Sequence, residues 1–137
     1  PGKFDVIYNV EEDMLTCKML KFILQPLMEN AMEHGVIPCK RRGRIEVTGK
    51  ITSDHIAEIS ICDNGNGISD ETLQRLRQEL KKDLQQGVNH SSSGIGLINV
   101  HQRIKNYYGD EFGISVESNQ EEYTCVKVRF PVLGKEV

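Results

Sequence analysis

The sequence has no tryptophan, and aromatic residues make up only 6% of its 137 positions. Aliphatic side chains must therefore fill most of the core of what, at this length, is one domain. No run of residues approaches the roughly 20 apolar positions of a membrane-spanning helix, and no signal peptide is recognisable. The chain starts at Pro1 rather than at a methionine, and we interpret it as a piece of a longer protein.

The sequence also has no excess of basic residues. The 17 Lys and Arg residues are outnumbered by 20 Asp and Glu residues, which gives a formal net charge of −3. This balance argues against a dedicated nucleic-acid-binding protein. We interpret the basic cluster at residues 40–44 as a solvated turn, because the other basic residues are scattered.

The four cysteines lie far apart, and no C-x-x-C pair is present. This pattern predicts reduced thiols in a cytosolic domain rather than zinc ligands or a disulfide framework. Cys62 and Cys125 stand in apolar runs, and we expect both to be small core residues.

Hydrophobic periodicity predicts the element order β-α-β-β-α-α-β-β. This order is typical of an α/β two-layer sandwich, with a mixed, largely antiparallel sheet covered on one face by helices. The predicted strands span residues 4–10, 44–51, 56–62, 114–118 and 124–130, and the predicted helices span 18–34, 69–86 and 96–107.

The first group of polar residues lies in an apolar helix, where Asn30, Glu33 and His34 share one face by their spacing. An asparagine is a mediocre helix former and costs free energy if it is buried without a partner. A ligand contact would explain Asn30, and a solvent-facing position would explain it equally well.

The second group follows a buried strand and consists of Asp63, Gly65 and Gly67. A carboxylate here can accept a hydrogen bond from an exocyclic amine such as that of adenine, and the glycines let the backbone approach a ligand. A plain Asp-Asn-Gly turn is the alternative. A calcium loop fails on spacing, since its twelfth position would be Gln74, and no third glycine completes a dinucleotide fingerprint.

The third group consists of Gly94, Gly96 and Leu97, where a glycine-rich loop runs into the helix predicted over residues 96–107. Free N–H groups at such a helix start can bind an anion. The G-x-x-x-x-G-K-[ST] pattern of a P-loop is absent, and a simple capping turn would explain this group if it stood alone.

Taken together, the three groups resemble the nucleotide-binding boxes of the superfamily of histidine kinases, type II topoisomerases, Hsp90 chaperones and MutL repair proteins. They are most like the ATP-binding domain of LytS/YesM-type sensor histidine kinases, which has the Bergerat fold. Residues 24–35 match Leu-Gln-Pro-Leu-x-Glu-Asn-Ala-x-x-His-Gly, residues 63–67 match Asp-x-Gly-x-Gly, and residues 94–103 match Gly-x-Gly-Leu-x-Asn-Val-x-x-Arg.

This resemblance implies ATP and Mg²⁺ as ligands. Asn30 would coordinate the Mg²⁺ that bridges the phosphates, Asp63 would bind the adenine amino group, and Thr124 would support adenine through a water molecule. His34 would lie near the nucleotide. Glu29 is a candidate polarising base, although it could also face outward.

The glycine boxes would bring the backbone close to the nucleotide, and residues 68–93 would form a mobile lid over it. Arg103 has two possible roles, a phosphate contact or a structural partner of the last helix, and we favour the structural one. The residues whose backbone would approach the nucleotide are Gly65, Gly67, Gly94, Gly96 and Leu97.

Two departures from the family pattern bear on activity. Glu33 stands where many members carry a lysine, which removes a cation that could contact phosphate. Pro26 stands where the superfamily's ATPases carry a glutamate that activates water. The second departure favours phosphoryl transfer to a protein side chain over hydrolysis.

The resemblance thus implies the catalytic domain of a two-component histidine kinase, in the cytoplasmic part of a membrane-anchored bacterial sensor. An upstream dimerisation and phosphoacceptor domain and a response regulator would be its partners, and this segment would contact neither nucleic acid nor membrane. None of its four histidines stands in a convincing acceptor context. A related ATPase or serine kinase, such as an anti-sigma factor, and a nucleotide-binding scaffold without kinase activity are the alternatives.

Overall fold

The computed structural model of the chain describes residues 4–16, 18–36, 42–82 and 95–132. Its five strands are β1 (Phe4–Val10), β2 (Gly43–Ile51), β3 (Ile56–Asp63), β4 (Gly113–Asn119) and β5 (Tyr123–Pro131). Its three α-helices are α1 (Lys18–Asn30), α2 (Asp70–Lys81) and α3 (Ile95–Tyr108). The predicted element order and its strand and helix types are confirmed, with bounds that differ by a few residues.

All five strands belong to one sheet in the order β1-β2-β3-β5-β4. β1 pairs in parallel with β2, whereas the other three neighbouring pairs are antiparallel. The parallel pair needs a crossover, and α1 lies in the connection between its two strands. The mixed, largely antiparallel sheet predicted from the sequence is therefore confirmed.

The core lies between the sheet and the helices. Along β2 and β3, every second side chain is buried while its neighbours are more exposed. Such alternation puts one face of each strand against the helices and the other toward solvent. As the lack of aromatics predicts, most large buried side chains are aliphatic: Ile23, Leu27, Ile45, Ile59, Ile61, Leu97 and Ile104.

The first helix differs from its prediction at the C-terminal end. α1 contains Pro26 and is followed directly by a π-helical segment, Ala31–Val36. Gly35, which the sequence predicts as the residue after the helix, lies inside this segment. Single π-helical turns are rare in proteins and are frequent at functional sites.

The second helix forms the first half of the predicted lid. The Ser69 side chain caps α2 by accepting from the Thr72 N–H, and the leucine stripe Leu73, Leu76 and Leu80 is buried. Arg77 fastens the helix to the sheet through two hydrogen bonds from its guanidinium to the Val116 carbonyl, at 3.2 and 2.6 Å. The sequence predicts that this helix continues through Leu84 and ends before Gly87, and both residues lie outside the described ones.

For Cys62 and Cys125, the prediction of two separate thiols in the core is wrong. Cys62 and Cys125 form a disulfide, although 63 positions separate them in the sequence. They are directly opposed in the β3–β5 ladder and are partly exposed, on the face of the sheet that the helices do not cover. Strand register, which the sequence does not display, brings the two thiols together.

No helix within the described ranges is long and apolar enough to cross a membrane.

Candidate functional site

A carboxylate and a hydroxyl meet at one end of the sheet, on its helix-covered side. Asp63 is the last residue of β3, and Thr124 lies opposite it near the start of β5. Each residue is only 5% exposed. Polar groups this deeply buried are retained where they have hydrogen-bond partners, so their clustering at a strand end marks a candidate binding site.

The loop that follows Asp63 is shaped by its glycines. The Gly65 N–H donates to Asp63 Oδ1 at 2.8 Å, which turns the chain back over the carboxylate. Gly67 has φ +70°, and a Cβ atom there would collide with the backbone of Asn119 and Gln120. Only glycine fits this position, and its presence lets the loop and the β4–β5 hairpin touch.

The β4–β5 hairpin holds the glycine loop through hydrogen bonds to the backbone of the loop. The Glu121 N–H donates to the Asn66 carbonyl, and the Ile68 N–H donates to Ser118 Oγ at 2.7 Å. On the other side, Asn64 joins the loop to the start of β2, because its Oδ1 accepts from the Arg44 N–H at 2.6 Å. The loop is therefore fixed by β2 on one side and by the β4–β5 hairpin on the other.

Ser118 is a residue that the sequence analysis missed. Its hydroxyl contacts the Ile68 N–H, the Tyr123 carbonyl at 2.8 Å and Thr124 Oγ1 at 2.9 Å. It thus connects the glycine loop to Thr124. The available signal was the β4–β5 hairpin, because two hydroxyl residues flanking a short turn are expected to form a cross-strand pair.

Asn30 ends α1 and is half-buried, while Glu29 beside it is exposed and accepts from Gln25 Nε2 at 3.4 Å. The π-helical segment that follows packs against β2, β3 and β5. This contact brings the end of α1 to the strands that carry Asp63 and Thr124. The backbone of His34 belongs to the π-helical segment, and its side chain is not among the described ones.

The third sequence group is described in part. Gly94 lies outside the described residues, whereas Gly96 and Leu97 form the first turn of α3. Gly96 is exposed, and Leu97 is 1% exposed in the core. α3 packs against α1, and a Cβ atom on Gly96 would lie 4.0 Å from Pro26 Cβ. Gly96 of the third group therefore lies next to Pro26, which belongs to the same matched box, residues 24–35, as Asn30.

An open groove of about 410 Å³ runs along the outer side of α3. Arg103, for which the sequence left two roles open, is exposed and borders this groove together with Asn99. The described residues that line it are Asn99, Gln102, Arg103, Asn106 and Tyr107.

His101 is fully engaged inside the fold. Its Nδ1 accepts from the Ile114 N–H at 2.8 Å, so the ring proton sits on Nε2 and is donated to the Leu80 carbonyl at 2.7 Å. Burial, assisted by the charge of Lys105, lowers the pKa of His101 below its usual 6.5, although the bond to Leu80 opposes this shift. The imidazole therefore ties α3 to both β4 and α2 in its neutral form.

The described residues suit a nucleotide with its metal ion. The buried Asp63 carboxylate offers acceptor oxygens for an exocyclic amine, and the Asn30 amide oxygen is a hard ligand of the kind that Mg²⁺ takes. Within the described ranges, no group of three His, Cys, Asp or Glu side chains is placed to hold a metal.

The chain thus combines a mixed sheet, a buried acid at a strand end, a glycine loop beside that acid and a helix end whose π-helical extension packs against the same strands. This arrangement suits a nucleotide-binding sandwich. The chain belongs to the family of histidine kinase-, DNA gyrase B- and HSP90-like ATPases, whose model matches residues 17–134.

The relatives confirm the resemblance to sensor histidine kinases. The chain is 32% identical over 108 residues to the sensor histidine kinase YpdA of Escherichia coli K12, covering 79% of this chain and 17% of that protein. It is 30% identical over 129 residues to the sensor histidine kinase/phosphatase LytS of Staphylococcus aureus MRSA252, covering 92% and 21%. The chain thus spans about a fifth of the length of these relatives.

Solved structures confirm the fold. The histidine kinase domain of a blue-light activated kinase from Erythrobacter litoralis superposes with a TM-score of 0.66 at 14% identity, covering 99% of this chain and 58% of that one. The catalytic domain of histidine kinase ThkA gives a TM-score of 0.58 at 16% identity, covering 98% and 81%. The predicted Bergerat-type sandwich is confirmed.

Proposed function

We propose that this chain is the catalytic ATP-binding domain of a sensor histidine kinase. It binds Mg-ATP at the sheet end that carries Asp63 and Thr124, and it donates the γ-phosphoryl group to a histidine outside the chain. The observation that carries the proposal is the buried Asp63 carboxylate, which faces Thr124 and is enclosed by a loop that only glycine can form.

The adenine contact follows from the chemistry of that pair. Asp63 accepts a hydrogen bond from the adenine amino group, and Thr124, aligned by Ser118, supports the ring through a water molecule. Guanine presents an oxygen at the same position, which a carboxylate repels. Since hydrogen bonds to charged groups contribute about 1.5–3 kcal/mol, ATP is preferred over GTP by roughly tenfold to a hundredfold.

The phosphates are assigned to the helix ends. Asn30 at the end of α1 coordinates the Mg²⁺, while backbone N–H groups around Gly94, Gly96 and Leu97 hold the phosphate oxygens. The metal supplies charge neutralisation as the γ-phosphoryl group leaves. His34, next to this end of α1, lies near the nucleotide, and residues 68–93 close over it as the lid.

We place the acceptor histidine outside the chain, and the positions of His55 and His101 support this proposal. Both ring nitrogens of His101 are occupied inside the fold. His55 lies in the turn before β3, at the other end of the strand that finishes in Asp63. At about 3.3 Å per residue, that separation is on the order of 25 Å, too far for direct transfer.

Transfer rather than hydrolysis is supported by Pro26. This residue lies inside α1, half-buried and beside Gly96, where it offers no carboxylate to activate water. Glu29 is exposed, and a role as polarising base would require it to reach the incoming acceptor. The proposal therefore predicts weak ATP turnover by the isolated chain.

A second function is a nucleotide-binding scaffold without kinase activity, and Glu33 favours it. This exposed carboxylate occupies a place where a cation would attract phosphate. Radiolabelled ATP added to the longer natural protein separates the two functions. A kinase forms acid-labile phosphohistidine, whereas a scaffold binds nucleotide and stays unlabelled.

The family relationship also suggests the cellular setting. We assign the chain to the cytoplasmic part of a membrane-anchored sensor, with an upstream dimerisation and phosphoacceptor domain and a response regulator as partners. On the outer face of the sheet, basic and acidic side chains form ion pairs with one another.

Isothermal titration calorimetry with ATP and ADP, with and without Mg²⁺, tests the site directly. We expect saturable binding that weakens when Mg²⁺ is removed and is lost in Asp63→Ala. Asp54→Ala is the matched control, because this exposed aspartate lies at the opposite end of β3. Equal binding by the two variants would place adenine elsewhere, and no binding by the unmodified chain at millimolar nucleotide would overturn the proposal.

A further inference from the structure

The Cys62–Cys125 disulfide lies immediately behind the candidate site. In the β3–β5 ladder the cysteine pair is followed directly by the pair Asp63 and Thr124, which is the last pair of that ladder. Successive side chains alternate between the two faces of a sheet. The disulfide therefore points to the outer face, while its two neighbours point into the site.

The disulfide is within reach of dissolved reagents. Cys62 and Cys125 are both partly exposed. On the strand next to each cysteine, the residue opposite it is a glutamate: Glu46 of β2 opposite Cys62, and Glu117 of β4 opposite Cys125. Both carboxylates belong to exposed ion pairs, with Arg44 and Lys127 respectively. A small thiol or peroxide can approach the two sulfur atoms across this solvated surface.

We propose that Cys62 and Cys125 form a reversible redox site that regulates nucleotide binding. The inference rests in part on the proposed function, because a domain that uses ATP works in a reducing compartment, where disulfides are transient and mostly catalytic or redox-sensing. In that setting the dithiol is the resting form, and the disulfide is the form produced by oxidation.

The chemistry balances with a peroxide as oxidant and a dithiol as reductant. One thiolate attacks the peroxide and breaks its O–O bond, which gives a sulfenic acid. For hydrogen peroxide the other oxygen leaves as hydroxide and takes up the proton that the thiol had lost, so one water is released. The second thiol then displaces that hydroxyl as another water, which forms the S–S bond. In the reverse direction, a dithiol attacks one sulfur through a mixed disulfide, leaves as its own disulfide and restores both thiols.

The disulfide acts on the site by holding the end of a strand ladder. Terminal pairs of a ladder open more readily than central ones, and the terminal pair here carries both adenine-binding side chains. A covalent link one position away suppresses that opening, so less ordering is needed when nucleotide binds. The oxidised form therefore binds Mg-ATP more tightly, by about threefold to tenfold.

The first measurement concerns the thiols alone. In a Cys17→Ser/Cys39→Ser background, the chain is equilibrated with mixtures of reduced and oxidised glutathione, trapped with iodoacetamide and weighed by mass spectrometry. We expect zero or two alkylated cysteines, with an interconversion that reverses when the ratio is reversed. A pair that stays fully reduced or fully oxidised across all ratios would overturn the redox site, whatever the nucleotide results.

The second measurement is the affinity for Mg-ATP of the same preparation in its two forms. The reduced form and the Cys62→Ser/Cys125→Ser variant should agree with each other and bind threefold to tenfold more weakly than the oxidised form. The matched control is the same variant with Ser60→Cys/Lys127→Cys, because these residues form the next outward-facing pair of the ladder, farther from Asp63. Its disulfide should change the affinity by less than about twofold.

The outcomes separate the two proposals. Equal affinity in both redox forms would overturn the regulation while leaving ATP binding intact. An effect of the relocated disulfide as large as the native one would also overturn it, since the position next to Asp63 would then be irrelevant. Absence of nucleotide binding in both forms would overturn the proposed function and the regulation with it, while the thiol titration would still decide whether the pair is redox-active.

Discussion

The two faces of the sheet are built on different physical principles. On the face that the helices cover, alternate strand residues are aliphatic and almost fully buried. On the outer face, exposed ion pairs run across the strands, such as Lys50 with Glu58 at 3.5 Å and Lys127 with Glu117 at 3.6 Å. Exposed ion pairs add little stability, because water and salt screen them.

This contrast assigns stability and chemistry to separate parts of the fold. The covered face carries the free energy of folding, and at its end it also carries Asp63 and Thr124. The outer face has one feature of a different kind, the disulfide between Cys62 and Cys125. It is the place where a covalent change can influence the covered side through the backbone of two shared strands.

The largest expected change in unfolding free energy comes from Ile61, and its neighbour Ser60 tests directly whether the two faces of the sheet differ. Ile61 is 1% exposed, and Ile61→Ala should cost about 2–5 kcal/mol of unfolding free energy through lost burial and a cavity. Ser60 points to the outer face, and Ser60→Ala should stay within about 0.5 kcal/mol. Urea denaturation measures both changes, and similar losses would show that the faces do not differ as described.

The next largest change in unfolding free energy is expected in the glycine loop, at the end of the sheet that carries the candidate site. Gly67→Ala should lose about 1–3 kcal/mol of unfolding free energy, because the residue has φ +70° and its Cβ would meet the Asn119 backbone. Gly109→Ala is the matched control, since Gly109 has φ +113° but open space around it.

Thermal melts and nucleotide titrations of the two glycine variants distinguish the cost of a positive φ angle from the steric clash of the added Cβ atom. Both variants carry the cost of positive φ, but only Gly67→Ala should also lose most of its affinity for Mg-ATP. Loss of nucleotide affinity in Gly109→Ala as well would mean that general destabilisation, rather than the shape of the loop, weakens binding.

His101 gives the smallest expected effect and tests a polar group on the covered side. Because burial lowers its pKa below 6.5, the unfolded chain binds a proton more readily than the folded one. The contribution of His101 to stability is thus complete above pH 6.5 and is lost as the pH falls below that value. Urea midpoints from pH 8 to pH 5.5 should fall more steeply for the unmodified chain than for His101→Gln, and parallel slopes would contradict this.

Local patterns in the sequence predicted the elements and part of the site. The alternation around Ile59 and Ile61 and the leucine stripe of α2 both report burial directly, so the strands and helices could be located. Asp63, Gly65 and Gly67 were recognisable because a buried strand ends in an acid and two glycines. These signals are local, and local signals survive in a single sequence.

Contacts set by long-range register were not predictable in the same way. Ser118 and Ile68 meet across 50 positions, and the two disulfide cysteines across 63. No periodicity within one segment carries that information, because pairing depends on how strands are ordered in the sheet. The π-helical segment after Asn30 was also missed, since Gly35 has the appearance of an ordinary helix end.

The attachment of α2 has a consequence for how this region can change over evolution. His101 and Gln102 hold the end of α2 by donating to the main-chain carbonyls of Leu80 and Lys82, and every residue type supplies such a carbonyl. Outward-facing residues of α2, such as Arg75 and Gln78, can therefore be substituted, singly or all together, without loss of these hydrogen bonds. The helix would keep its anchorage while its surface acquired a new binding preference.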